Sequence, residues 1–183
     1  MAEEEKDIYF GAPPEIVEYA KEAVAKMGGM LGLIVEAAYE EWGEKAIEVM
    51  GEAVKKDARE KGARFREEEG YKPEDVDVEI ALTEIYPKSH GALAVAGLDF
   101  ERVMLEKDKS ESRVHVCGLL DGYMVKSDKP WLLCEIFARY HDEGFMEGVN
   151  PKLEWVAHVE KNGGEGLARG KDKPCILKLK LNK

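Results

Sequence analysis

Between Pro13 and Met27 the apolar residues Ile16, Ala20, Ala23, Val24 and Met27 recur at three- and four-residue spacing, which predicts a helix with one apolar stripe. Pro13 and Pro14 suit its opening turn, where a missing N–H costs least, and Glu15 and Glu18 favour its positive end. Gly28-Gly29 is expected to break it. A second helical stretch is expected from Met30 to Glu69. Leu31, Ile34, Val35, Ala38, Tyr39 and Trp42 mark its first apolar face, and Ala46, Ile47, Met50, Ala53, Val54 and Ala58 resume the stripe after Gly43. One bent helix and two helices joined near Gly43 both fit that pattern. Gly70 with Pro73 closes the segment.

From Val76 the period changes to two: Val76, Val78, Ile80 and Leu82 alternate with Asp77, Glu79 and Thr83, the pattern of a half-buried strand. Pro87 to Gly91 reads as a loop. Phe100–Glu106 and Arg113–Leu120 read as strands joined by the polar turn Lys107 to Ser112. Trp131–Gly148 returns to helical spacing through Leu132, Leu133, Ile136, Phe137, Tyr140 and Phe145, with Asp128 as its cap and Asn150-Pro151 as its exit. Lys152–Glu160 and Cys175–Leu181 are expected strands, linked through the glycine-rich segment Asn162 to Gly166. The resulting class is α+β: an N-terminal helical segment, then a mostly antiparallel sheet packed by one long helix. At 183 residues this is expected to be a single domain, with residues 1–70 helical and 71–183 carrying the sheet.

Charge narrows the partners. The 27 basic and 38 acidic residues leave a net charge of −11, which disfavours nucleic acid and anionic membrane surfaces. Residues 1–70 hold 18 acidic and 10 basic side chains, so the helical segment is the more acidic part. No apolar run approaches a membrane span, and the acidic N-terminus is unlike a secretory signal, so a cytoplasmic protein is expected. The apolar stripe on the helical arm makes self-association as a homodimer a further expectation.

The candidate chemistry lies where cysteines fall near histidines. His115 and Cys117 are two apart on an expected strand, and Cys134 and His141 are seven apart on an expected helix, so each pair is expected to share a face. Asp142 follows His141. Such pairs could form a Cys₂His₂ metal site, or a thiol nucleophile activated by an imidazole that Asp142 orients. They could equally be packed core residues, since free cysteine behaves as a small hydrophobe, and neither pair has metal-motif spacing. Cys175 shares its strand face with Leu177, Leu179 and Leu181, a core position at the rim of any pocket on that face. Arg113, Arg139 and Arg169 are candidate clamps for a substrate carboxylate, Arg113 being on the expected face of His115 and Cys117. The glycines at 163, 164 and 166 lack phosphate-binding spacing, and no cofactor is expected.

Five short segments carry a family resemblance. They are Val116-Cys117-Gly118, Leu133-Cys134-Glu135, Tyr140-His141-Asp142, Gly148 to Leu153, and Gly170-Lys171-Asp172-Lys173-Pro174-Cys175 before the last strand. With the helical segment Tyr39 to Ala46 they resemble the L-2-amino-thiazoline-4-carboxylic acid hydrolase family. The last turn is also similar to that of vinyl-four-reductase domains, which bind small molecules. Asp172 stands one position later than in the family's final turn, and Ile176-Leu177 replace an aromatic residue. The resemblance implies hydrolysis of a small cyclic carbon–nitrogen substrate of thiazoline or amidine type. Cys134 would be the nucleophile, His141 the acid or base, and Asp142 its orienter. Cys117 and His115 would be pocket partners, Arg113 the carboxylate clamp, and Cys175 and Arg139 substrate contacts. A non-catalytic ligand-binding or sensory module, with or without metal, is the alternative.

Overall fold

The computed structural model describes residues 13–89, 98–157 and 173–183. Helix α1 (Pro14–Trp42) and helix α2 (Glu44–Glu68) meet at Gly43, whose φ of 62° and ψ of −148° suit glycine alone. The two-helix alternative near Gly43 is therefore the one adopted.

The expected break at Gly28-Gly29 does not occur: α1 runs through both residues. Their missing side chains serve packing instead. A Cβ on Gly28 would stand 1.8 Å from the Leu119 carbonyl oxygen, and one on Gly122 would stand 1.8 Å from that of Ala25. Helix α4 (Gly118–Met124) thus packs backbone to backbone on α1. An interior glycine costs roughly 1 kcal/mol of helix propensity, which this close approach offsets.

The expected strand from Val76 is helical. A 3₁₀ turn (Pro73–Asp75) leads to α3 (Val78–Ile80), whose Asp77 carboxylate accepts the Ile80 N–H at 2.9 Å. Wide π-type turns follow over Ala81–Ile85, and the helix continues through 86–89, so 87–89 of the expected loop are helical, while 90–91 lie outside the described residues. Val78, Ala81, Leu82 and Ile85 are all buried, so a helical spacing lay beneath the alternation, and the Asp77 cap was its signal.

Strand β1 (Leu98–Leu105) and strand β2 (Lys109–Cys117) form a hairpin with a shorter turn than expected, closed by Glu106 N–H to Lys109 C=O at 2.9 Å. Residues 118–120, expected in the second strand, instead open α4. Strand β3 (Leu153–Ala157) and strand β4 (Cys175–Leu181) complete a four-stranded, wholly antiparallel sheet of order β1-β2-β4-β3. Lys152, expected to open the third strand, lies in the turn before it; residues 158–160 of that expected strand, the 162–166 connection and Arg169 lie outside the described residues.

The expected long helix spans 131–149 in three parts: α5 (Trp131–Cys134), a π-type segment (Glu135–His141) and α6 (Asp142–Val149). Asp128 does not cap it. Pro130 occupies the cap position, and the Ser127 hydroxyl accepts the Lys129 N–H at 2.9 Å one residue earlier. One core layer joins α2, α3 and α6 to the sheet through Val78, Ile85, Phe145, Met146 and Leu179. A second joins α1, α2, α4 and α5 through Val35, Ile47, Leu120, Leu132 and Ile136. No helix among the described residues is long and apolar enough to cross a membrane.

Candidate functional site

Both π-type segments end at chemically functional side chains. The first delivers Tyr86, and the second delivers His141 and Asp142. Such wide turns shift every later residue around the helix axis, which re-aims side chains and is common at functional sites. Asp142 is only 8% exposed. Its Oδ1 lies 3.0 Å from His141 Nδ1, and its Oδ2 accepts the Tyr86 hydroxyl at 3.3 Å. A carboxylate that accepts here suits an imidazole carrying its proton on Nδ1. Tyr86 is clamped by aromatic rings, lying near parallel to Trp155 at 6.2 Å and edge-on to Phe145 at 5.8 Å. The Trp155 indole N–H donates to the Ala138 carbonyl at 2.8 Å, inside the second π-type segment. Burial, then the Asp142 charge, pushes the Tyr86 phenol well above its usual range, so its proton stays on.

Two of the three thiols, Cys117 and Cys175, feel the Asp142 charge. Val114 and Cys175 are directly paired across β2 and β4, and Cys117 packs against both. Cys134 ends α5 within electrostatic range of Cys117 and Cys175. Burial raises all three. Cys134 goes well above the ordinary thiol value, and the neighbouring thiols and Glu135 add to the effect. Cys175 is pushed up to about 12, with Cys117 and Asp142 contributing. Cys117 rises less, because the N–H groups of Leu120 and Leu119 donate to it. Among the described residues, the groups that act on Cys134 are Glu135 and the other two thiols. Among the described residues no group of three His, Cys, Asp or Glu side chains could hold a metal ion.

The two expected cysteine–histidine faces do not form. In β2 the register slips between Asp99 and Phe100, which pair with Val116 and Val114, so His115 is an extra residue in the ladder. Alternation fails across such a bulge. Cys117 turns to Val114 and Cys175, while His115 Nε2 approaches Glu101 Oε2 on β1 at 3.5 Å. His115 is 8% exposed, and its Nδ1 has no hydrogen-bond partner among the described residues. On the long helix the wide turns of 135–141 make seven residues fall short of two turns. No hydrogen bond links Cys134 to His141 among the described residues. Among the described residues neither expected clamp makes a hydrogen bond or ion pair with Asp142. Arg113 lies 3.7 Å from Glu111, and Arg139 donates to Glu135 at 3.0 Å with its guanidinium over the Tyr140 ring. The structure therefore joins Tyr86, Asp142 and His141 by hydrogen bonds and packs Cys117 against Cys175, and among the described residues no hydrogen bond or ion pair ties His115, Arg113 or Arg139 to either set. Tyr86 is the member that sequence reasoning missed. Its signal was the Asp77 cap, which turns the run before it from strand into helix.

A groove of about 400 Å³ is lined by Trp155 together with Arg59, Glu143, Glu147, Pro151 and Asn182. Its charges are paired internally: Lys55 holds Glu143 and Glu147 at 2.7 Å each, and Arg59 holds Glu147 at 2.8 Å.

The family model described as L-2-amino-thiazoline-4-carboxylic acid hydrolase matches residues 15–169. No curated protein matches. Among solved structures, a trafficking protein particle complex subunit 3 from Naegleria fowleri, covalently bound to palmitic acid, is similar at 10% identity. That likeness covers 85% of this chain and 95% of the other, with a TM-score of 0.49.

Proposed function

The chain belongs to the L-2-amino-thiazoline-4-carboxylic acid hydrolase family, and from that premise we propose that it opens a small cyclic carbon–nitrogen substrate by adding water, with His141 as base and acid and Asp142 as its orienter. The observation that carries this reading is the buried Asp142 carboxylate bonded to His141 Nδ1 at 3.0 Å. With its proton held on Nδ1, the imidazole accepts through Nε2. His141 takes a proton from water as the oxygen bonds to the electrophilic ring carbon. The tetrahedral adduct then collapses, the bond from that carbon to its ring sulfur or nitrogen breaks, and the departing atom receives the proton from His141. The histidine ends as it began, and the product is the ring-opened substrate plus one water.

Water is preferred to a thiolate for a physical reason. A nucleophilic cysteine needs a nearby cation or base to lower its pKa. Cys134, the nucleophile that the family resemblance suggests, has the opposite surroundings: burial holds its proton on and acidic neighbours reinforce this. We therefore assign Cys117, Cys134 and Cys175 to the apolar wall of the site.

The test is incubation of the full chain with 2-amino-thiazoline-4-carboxylic acid, followed by mass spectrometry. Steady accumulation of a product heavier by one water is expected. Saturable binding without turnover would overturn the hydrolytic reading and favour the ligand-binding module.

A further inference from the structure

We infer that Tyr86 is a positioning residue for the proposed hydrolysis: by donating to Asp142 Oδ2 it fixes the carboxylate so that Oδ1 holds His141 in its Nδ1–H form. This rests on the acid–base reading of His141 and Asp142, and it adds the device that keeps them in register. A carboxylate held at one oxygen can rotate about its Cβ–Cγ bond; one held at both cannot without losing a bond. Asp142 is held at both, at 3.0 Å by His141 and at 3.3 Å by Tyr86.

Tyr86 is itself fixed. Its ring lies between Trp155 and Phe145, and Trp155 is tied to Ala138, three residues before His141. One continuous set of contacts therefore joins the π-type segment that delivers Tyr86 to the one that delivers His141 and Asp142. Asp57 of α2 also acts on His141, and Cys117 of β2 and Cys175 of β4 act on Tyr86 and Asp142.

The experiment uses the full chain with ¹⁵N-labelled histidine, His141 being assigned from the signals lost in His141→Gln. The ratio of Nδ1–H to Nε2–H forms is read from the ring nitrogen shifts. Tyr86→Phe keeps the aromatic packing and removes only the hydroxyl, so the ratio at His141 is expected to fall about threefold to tenfold, the worth of one hydrogen bond. An unchanged ratio would overturn the inference. In the unmutated chain the Tyr86 hydroxyl proton should give a slowly exchanging resonance that disappears in Asp142→Asn; its persistence there would also overturn the inference, whether or not Tyr86→Phe folds. Neither readout needs substrate. If His141→Gln and Asp142→Asn left turnover intact, the acid–base reading would fail separately.

Discussion

Cys134, Cys117 and Cys175 pack among apolar side chains, and burial there raises all three thiols. Burial favours the neutral thiol, so the native chain is expected to react with a thiol reagent at neutral pH about tenfold or more slowly than the denatured chain. One native thiol reacting as fast as the denatured ones would contradict that. The same shift links stability to pH. Cys175 is raised from 9.0 to about 12, so as pH climbs through that interval the unfolded chain releases a proton that the folded chain keeps. The contribution is fully present below about 9 and is lost as pH rises toward 12, with Cys117 and Cys134 acting in the same direction. The urea midpoint should fall across that interval. Replacing Cys175 with alanine should flatten part of the fall, and an unchanged slope would remove the thiol from the explanation.

Among the elements, those with one unambiguous period were legible in the sequence. Cys175–Leu181 alternates leucine with lysine and forms a strand over those residues. Trp131–Gly148 has one apolar stripe and is helical throughout. The segment from Val76 was not legible by period, because an apolar run can satisfy both spacings at once. Gly28-Gly29 misled for another reason: a glycine pair reads as punctuation, but here it is a contact surface whose partner, α4, is about 90 residues away in the chain. That contact gives a prediction. Gly28→Ala would gain roughly 1 kcal/mol of helix propensity. Overpacking against the rigid Leu119 carbonyl costs typically 1–3 kcal/mol and should prevail, lowering the urea midpoint. A midpoint that rises would show that α1 and α4 can separate without loss. The site was half legible on the same grounds. His141 and Asp142 are adjacent in sequence, whereas the bulge at His115 and the π-type turns depend on tertiary packing, so both expected cysteine–histidine faces failed.

For the whole molecule, α1 presents two opposite faces. Gly28, Gly32 and Val35 pack inward, while Tyr19, Met30 and Ile34 are 73%, 58% and 55% exposed on the other side. The self-association expected from the sequence would use this outer face, where Tyr19, Met30 and Ile34 stand beside the exposed Lys26–Glu22 ion pair. Light scattering should then give the mass of two chains, and Met30→Lys should halve it without loss of helical signal; a concentration-independent single-chain mass for the unmutated protein would refute this. Family membership, by contrast, concerns chemistry, and the account stands or falls on which residues carry it. The most direct measurement is turnover of 2-amino-thiazoline-4-carboxylic acid by Asp142→Asn and Cys134→Ser side by side with the unmutated chain. Loss of an oriented acid–base group costs about 10²–10⁴-fold, so Asp142→Asn should fall by that factor, while Cys134→Ser should stay within about tenfold. Abolished turnover in Cys134→Ser with Asp142→Asn largely active would contradict the account and return the reaction to a thiolate.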